Sequence, residues 1–148
     1  MNKKGVTLLE LIIVMVIIAI AAGFIVPGIG AWLPNYRLRS SARDIVSTMR
    51  TAQMKAVSTN LIYRVSFTLP AGYVLQYIDT GGNLQTEGVT QTLPPGVSIS
   101  AITIAGNNAV FNPNSTSSSG SLTLQNSKGS QRRLTLTPST GRATITTP

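Results

Sequence analysis

This 148-residue chain contains no cysteine and no histidine, and only four of its residues are acidic. Without cysteine it forms neither disulfides nor thiolate metal sites, and without histidine it lacks the usual general base near neutral pH. Outside the first apolar run the acids are Asp44, Asp79 and Glu87, whose sequence contexts do not suggest a paired-carboxylate site. Serines are frequent, yet no G-x-S-x-G motif accompanies them. We therefore predict a protein that is not an enzyme and that holds neither a metal nor a cofactor.

The scarcity of acids leaves a formal charge of +8, from 12 basic and 4 acidic side chains. Such a balance suits an anionic partner, either nucleic acid or a phospholipid surface. An exported domain with few acids is also basic without any such partner. Charge alone leaves these alternatives open.

Charge is also absent from residues 11–36, and the apolar part of that stretch, residues 11–33, is 23 residues long. At about 1.5 Å per residue, a helix of this length reaches roughly 34 Å and can cross a hydrocarbon core of ~30 Å. The alternative is a cleaved signal peptide, with Ala-Ile-Ala at residues 19–21 as the cleavage site. Two features disfavour a signal peptide. Glu10 interrupts the basic amino-terminal region, and the apolar run continues well beyond residue 21. We expect a membrane span, whose orientation the flanking charges do not fix.

Pro27 lacks a backbone N–H, so the helix either ends there or continues through a kink. We favour a continuous, kinked helix, because helical periodicity resumes at once and Asn60 is a reasonable stop. An apolar stripe recurs at spacings of three and four residues: Leu38, Ala42, Ile45, Met49, Ala52 and Ala56. This stripe predicts an amphipathic helix packed on a sheet, with Arg39, Arg43 and Arg50 forming a basic edge beside it.

Short alternating segments separated by Gly, Pro and Asn turns indicate β-strands after residue 60. The segments are residues 63–69, 73–78, 84–92, 97–104, 109–111, 121–125, 131–137 and 143–146. Strands at intervals of roughly 8–12 residues are typical of an antiparallel sheet or a small sandwich. The predicted fold class is therefore α+β, with a long amino-terminal hydrophobic helix packed by its carboxyl-terminal half on an antiparallel β domain. The serine-rich loop of residues 112–120 is expected to be mobile.

Residues 4–10, Lys-Gly-Val-Thr-Leu-Leu-Glu, resemble the processing site of type IV prepilins and type II secretion pseudopilins. The resemblance implies that a membrane peptidase cuts after Gly5 and that the new terminus, Val6, is N-methylated. Glu10 then falls fifth in the mature chain, and Pro27 falls at a position where many pilins also have a proline. An unpaired acid is costly in lipid, so we expect the Val6 amine of a neighbouring subunit to pair with Glu10 during assembly.

With this resemblance the chain is expected to contain four segments. These are a leader peptide at 1–5, a transmembrane and filament-core helix at 6–33, an amphipathic second half of the helix at 34–60 and an antiparallel β domain at 61–148.

The carboxyl-terminal half is similar to the GspH/FimT family, which includes H-type pseudopilins of type II secretion and T- and U-type minor fimbrial pilins. The similarity lies in residues 110–113, Gly120, residues 122–124, residues 133–136 and residues 138–142, which end in a Gly-Arg pair. It implies a minor structural subunit that helps to initiate or cap a filament, for protein secretion or pilus biogenesis.

The expected partners are other pilin or pseudopilin subunits, the prepilin peptidase, the inner-membrane assembly platform and membrane lipid. The resemblance further implies a single pass through the bacterial inner membrane, with the carboxyl-terminal domain in the periplasm. The assembled filament would be periplasmic or extracellular.

A DNA-binding minor pilin for natural transformation is the alternative function, because some T-type members bind DNA through a carboxyl-terminal Gly-Arg-x-Arg motif. Here residues 141–144 read Gly-Arg-Ala-Thr, without the second arginine. The candidate DNA contacts are Lys128, Arg132, Arg133 and Arg142, although Arg132 and Arg133 would point to opposite faces of a strand. No aromatic residue follows Phe111 to stack on bases, so binding would depend on phosphate contacts and on salt.

Overall fold

The computed structural model describes the backbone of residues 6–148, and the side chains of all of these except residues 23–29 and 31. The chain divides into two compact units, Met1–Leu33 and Pro34–Pro148. One helix, α1 (Leu8–Thr59), is assigned across the boundary, and the strands follow it within the second unit. The helix therefore continues through Pro27 rather than ending there, as the return of helical periodicity predicts.

The first unit contains the amino-terminal part of α1, and its described large apolar side chains are solvent-exposed. From Val6 to Ile20 these side chains are 48–78% exposed. They occur on all sides of the helix, whereas a helix on the surface of a globular protein keeps one polar face. An all-round apolar helix requires lipid or other helices to cover it.

Among the residues that the structure describes, no helix is both long enough and apolar enough to cross a bilayer.

In the second unit, α1 packs through the predicted apolar stripe. All six stripe residues are buried, with exposures of 2% or less, and Val46 joins them at 6%. Ser41 is buried on the same side, and its hydroxyl donates to the backbone oxygen of Arg37 at 2.8 Å. The helix ends at Thr59, and Asn60 adopts the left-handed φ of 57° that commonly follows a helix end. The predicted stop at Asn60 is therefore correct to within one residue.

Eight strands in two antiparallel sheets form the rest of this described unit. They are β1 (Ile62–Thr68), β2 (Gly72–Ile78), β3 (Leu84–Thr92), β4 (Val97–Ile102), β5 (Asn108–Phe111), β6 (Gly120–Asn126), β7 (Gln131–Thr137) and β8 (Arg142–Thr146). One sheet has the order β3-β2-β1-β5 and the other β4-β6-β7-β8. A short 3-10 helix, Ala105–Asn107, precedes β5.

Both sheets and α1 contribute side chains to one apolar core. Val65 of β1, Phe111 of β5 and Leu122 and Leu124 of β6 are fully buried. In β1 the alternation of buried and part-exposed residues follows the period of two that a half-buried strand requires. The predicted α+β fold, a helix packed on antiparallel sheet, is confirmed.

Two strands end earlier than their hydrophobic alternation predicts. β1 stops at Thr68, and Leu69, predicted inside the strand, is 51% exposed. The next residue is Pro70, which has no N–H to donate to a ladder. β4 stops at Ile102, before the predicted end at Ile104, whose backbone oxygen instead accepts the Asn107 N–H of the 3-10 helix at 3.1 Å.

The serine-rich loop of residues 112–120 is held by hydrogen bonds, in contrast to the mobility that its composition predicts. The Asn112 side chain donates to Thr116 Oγ1 at 2.9 Å, and the Thr116 hydroxyl donates to Asn114 Oδ1 at 2.6 Å. Ser117 is buried, and its backbone N–H donates to the oxygen of Pro138 at 2.9 Å. The small hydroxyl and amide side chains satisfy one another here, so serine content does not indicate disorder.

Candidate functional site

Thr7 caps the amino-terminal end of α1. The backbone N–H of Glu10 donates to Thr7 Oγ1 at 3.2 Å, and the N–H of Leu11 donates to the Thr7 backbone oxygen at the same distance. The Thr-x-x-Glu spacing is that of a capping box, a helix-start signal readable in residues 7–10 that the sequence predictions above leave out. Glu10 lies in the first turn, where the positive end of the helix dipole favours its charge.

The structure shows few contacts for the other residues that are predicted to act in processing and assembly. Val6 is 72% exposed, and Glu10 is exposed with no cation paired to it among residues 6–148. Gly5 lies outside the described residues, and so does the side chain of Pro27. Cleavage after Gly5, methylation of Val6 and the assembly roles of Glu10 and Pro27 stay predictions.

The β7–β8 turn, which ends in the Gly-Arg pair, is tied to the helix and to the serine-rich loop. Gln53 of α1 donates its side-chain amide to the backbone oxygen of Thr140 at 2.7 Å. Gly141 follows with a φ of +62°, and a Cβ on it would lie 2.7 Å from Gln53 Nε2 and 2.9 Å from the backbone oxygen of Ser115. Both the conformation and the space therefore require glycine at this position.

Gly120 opens β6 under a similar constraint. Its φ is +139°, and a Cβ on it would lie 2.8 Å from the Cα of Ile104. The two glycines on which the family resemblance partly rests thus allow close approach of the backbone. These two glycines are therefore required by the fold and do not indicate a binding site.

The four candidate DNA contacts do not form one patch. Arg133 and Arg142 are exposed on the outer face of the β7–β8 pair, opposite Thr146 and Thr137 respectively. Arg132 lies on the inner face, as the alternation along a strand predicts. Lys128 belongs to the turn between β6 and β7. This division gives no continuous surface that follows a nucleic-acid backbone.

Two acids of the second unit serve local structural contacts. Glu87 of β3 forms an ion pair with Lys55 of α1, and the hydrogen bond that Lys55 Nζ donates to Glu87 Oε1 raises the pKa of Lys55. Asp79 Oδ1 accepts the backbone N–H groups of Asn83 at 2.8 Å and Gly81 at 2.9 Å. These bonds, the one from Asn83 foremost, lower the pKa of Asp79. In the part of the chain that the structure describes, no three His, Cys, Asp or Glu residues come together as a metal site.

Residues 41–141, which run from the second turn of the apolar stripe to the β7–β8 turn, match the family model described as "Type II transport protein GspH". The chain belongs to the GspH family. Residues 1–26 of this GspH-family protein also match the "Prokaryotic N-terminal methylation motif". No curated protein is similar enough in sequence to match it.

Solved structures share the fold of this GspH-family protein at low sequence identity. The minor pseudopilin EpsH of the Vibrio cholerae type 2 secretion system has a TM-score of 0.64 at 11% identity, over 76% of this chain and 98% of EpsH. The type IV minor pilin FimU of Pseudomonas aeruginosa has a TM-score of 0.61 at 15% identity, over 76% of this chain and 90% of FimU.

The family match confirms the predicted class of function, a structural subunit of pilin type, and the fold is shared with a minor pseudopilin of type 2 secretion and with a type IV minor pilin. The GspH family is a structural family of membrane-anchored filament subunits, which assemble with other subunits of pilin type. The descriptions of these two families and two structures do not mention DNA, so the alternative function gains no support from them.

Proposed function

We propose that this protein is cut after Gly5, N-methylated on Val6 and held in the bacterial inner membrane by residues 6–33 until it enters a filament. The observation that carries the proposal is the exposed apolar helix that lies within the match to the methylation motif. The side chains from Val6 to Ile20 are 48–78% exposed, so they need lipid around them in the membrane and neighbouring helices around them in the filament. The β domain would lie in the periplasm, and the subunit would sit near the filament tip to initiate or cap it.

Glu10 is proposed to direct docking between subunits. A carboxylate in an apolar helix bundle is costly without a partner, and a cationic amine is the complementary charge. Within residues 6–148 no cation pairs with it, which agrees with a partner supplied by another chain. Cleavage after Gly5 would create that partner on Val6 of the neighbouring subunit. The capping role of residues 7–10 fits the same arrangement, because an ordered first turn holds the carboxylate near the chain terminus.

Processing is tested by co-expressing the chain with a prepilin peptidase and measuring the intact mass. The expected product has lost residues 1–5 and carries one methyl group on Val6, and Gly5→Ala should accumulate the uncut precursor. A matched control is Gly30→Ala, which places a methyl group in open space and leaves the processing site unchanged. A full-length, unmethylated product in the presence of active peptidase would refute the proposal.

Assembly partners are tested by crosslinking in cells and identifying the proteins that co-purify. We expect other pilin-type subunits and components of the inner-membrane assembly platform. Recovery of the chain from the soluble fraction, without any subunit of pilin type, would contradict both the membrane anchoring and the filament role.

A further inference from the structure

Three arginines of the second unit converge on one groove, which we call the arginine groove (Arg39, Arg43 and Arg132). Arg39 and Arg43 stand one turn apart on α1, and Arg132 of β7 completes the set. With Ala42 and Ile145 they line a volume of about 280 Å³. A polar groove of about 450 Å³, which also includes Arg39 and Arg132, adjoins it.

No Asp or Glu side chain of the second unit lines the arginine groove or the groove adjoining it, which is also lined by Pro148 and by Thr147, whose hydroxyl oxygen accepts a hydrogen bond from Arg132. The described residues of this unit contain Asp44, Asp79 and Glu87. Asp79 accepts hydrogen bonds within its own turn, Glu87 pairs with Lys55, and Asp44 lines a different groove. Like charges four residues apart on a helix repel each other, and a third arginine beside them adds to that repulsion. An anion in the groove would relieve it.

The arginine groove lies at the end of the unit where α1 enters. The side chain of Asn126, at the end of β6, donates to Asn35 Oδ1 at 2.9 Å, which brings the β6–β7 turn beside the start of the unit's helix. Counted along α1 at about 1.5 Å per residue, Arg39 lies about 7.5 Å and Arg43 about 13.5 Å beyond Pro34. Arg39 and Arg43 thus lie within two to three turns of the first residue of this unit.

Aromatic residues mark the same stretch of α1. Trp32 is 60% exposed and Tyr36 is 53% exposed. Tryptophan and tyrosine are enriched at the level of lipid headgroups, where their rings meet both apolar and polar surroundings. Arginines that follow such residues along the sequence are suited to contact lipid phosphates.

We propose that the arginine groove binds anionic phospholipid headgroups and holds the β domain at the membrane surface before the subunit enters a filament. The proposal rests on the membrane anchoring proposed above. An acidic segment of another subunit is the rival occupant. Lipid is favoured because the groove lies at the entry end of α1 and because exposed aromatic residues precede it.

The test uses the full chain in a neutral detergent and measures the binding of phosphatidylglycerol and of phosphatidylcholine by native mass spectrometry. We expect tighter binding of phosphatidylglycerol and a loss of that preference in the triple variant Arg39→Gln/Arg43→Gln/Arg132→Gln. At about fivefold per basic residue near an anionic surface, the loss of affinity should be on the order of 100-fold. The control Arg50→Gln/Arg133→Gln/Arg142→Gln removes the same charge outside the groove and should retain the preference.

Equal losses in the two triple variants would overturn the proposal, because they would indicate attraction by net charge alone. Unchanged lipid binding combined with lost co-purification of other subunits would assign the groove to an acidic protein partner instead. If the groove triple variant loses its native circular dichroism, Arg132→Gln alone provides the comparison, with Arg133→Gln as its control. Membrane retention of each variant is measured separately. If the wild-type chain is not retained in the membrane, the proposed anchoring is refuted. If it is retained but shows no headgroup preference, only the proposed binding of lipid in the arginine groove is refuted.

Discussion

Gly141→Ala tests whether the closing Gly-Arg pair is a requirement of the fold. The substitution adds one methyl group at a residue with φ of +62°, where its Cβ would meet Gln53 Nε2 at 2.7 Å and the backbone oxygen of Ser115 at 2.9 Å. The Gln53 amide can move only by giving up its 2.7 Å hydrogen bond to the Thr140 oxygen. The Ser115 oxygen belongs to a loop that is itself held by hydrogen bonds.

The cost has two parts. A left-handed conformation costs a residue with a Cβ roughly 1–2 kcal/mol. Alanine offsets about 0.4–1 kcal/mol of this cost, because it lowers the conformational entropy of the unfolded chain. Overpacking at a tight site adds about 1–3 kcal/mol. We therefore expect a loss of about 2.5 kcal/mol in the free energy of unfolding. Over the 115 residues of Pro34–Pro148, that loss lowers Tm by about 10 °C at about 2.1 cal/mol/K per residue.

Gly82→Ala is the matched control, because Gly82 has a similar φ of +82° and nothing within 4 Å of the added Cβ. It carries the conformational cost without the close contacts and should lower Tm by only about 2–4 °C. The assay is thermal unfolding of the full-length variants followed by circular dichroism. Equal Tm values for the two variants would refute the close approach of α1, the serine-rich loop and the β7–β8 turn.

Substitutions at three further sites probe the same unit. Gln53→Ala removes the hydrogen bond to the Thr140 oxygen and should reduce the free energy of unfolding by about 1 kcal/mol, measured by urea denaturation; no change in the midpoint would show that the bond is not formed in solution. Asn60→Val should cost roughly 1–2 kcal/mol at a φ of 57°, whereas Asn60→Gly should lie within about 0.5 kcal/mol of the wild type; similar midpoints for both would contradict the left-handed helix end. For Asp79 the folded pKa lies below the ordinary 3.8, so its stabilising contribution is present above that value and is lost as pH falls through the lowered pKa. Asp79→Asn should therefore flatten the fall of Tm from about pH 6 to pH 2, and an unchanged pH profile would contradict the bonded turn.

The elements themselves follow closely from hydrophobic periodicity. The helical stripe from Leu38 to Ala56 has one buried face, and the period of two marks the strands because each has one face in the core. Strand ends were less accurate, because Pro70 and the bond between Asn107 and Ile104 decide them through hydrogen bonding that periodicity does not contain.

The candidate sites show what composition cannot predict. Serine content predicts a mobile loop, whereas Ser117 is buried and bonded to the Pro138 oxygen, a contact between segments 21 residues apart. Sequence proximity also grouped Arg132 with Arg133 and Arg142, while the fold places it in the arginine groove with two helical arginines. Such groupings depend on tertiary packing, which no local pattern specifies.

The subunit is proposed to enter a filament through the charge of Glu10, which acts between chains. The most direct test is the fraction of Glu10→Ala recovered in sheared filaments, relative to the amount of the same variant in the membrane. Glu10→Gln serves as the variant of matched shape, and Glu87→Gln as a charge-matched control in the β domain. We predict that both Glu10 variants are still cut after Gly5 but are depleted from filaments, whereas Glu87→Gln is incorporated normally. Normal incorporation of the Glu10 variants would contradict the account.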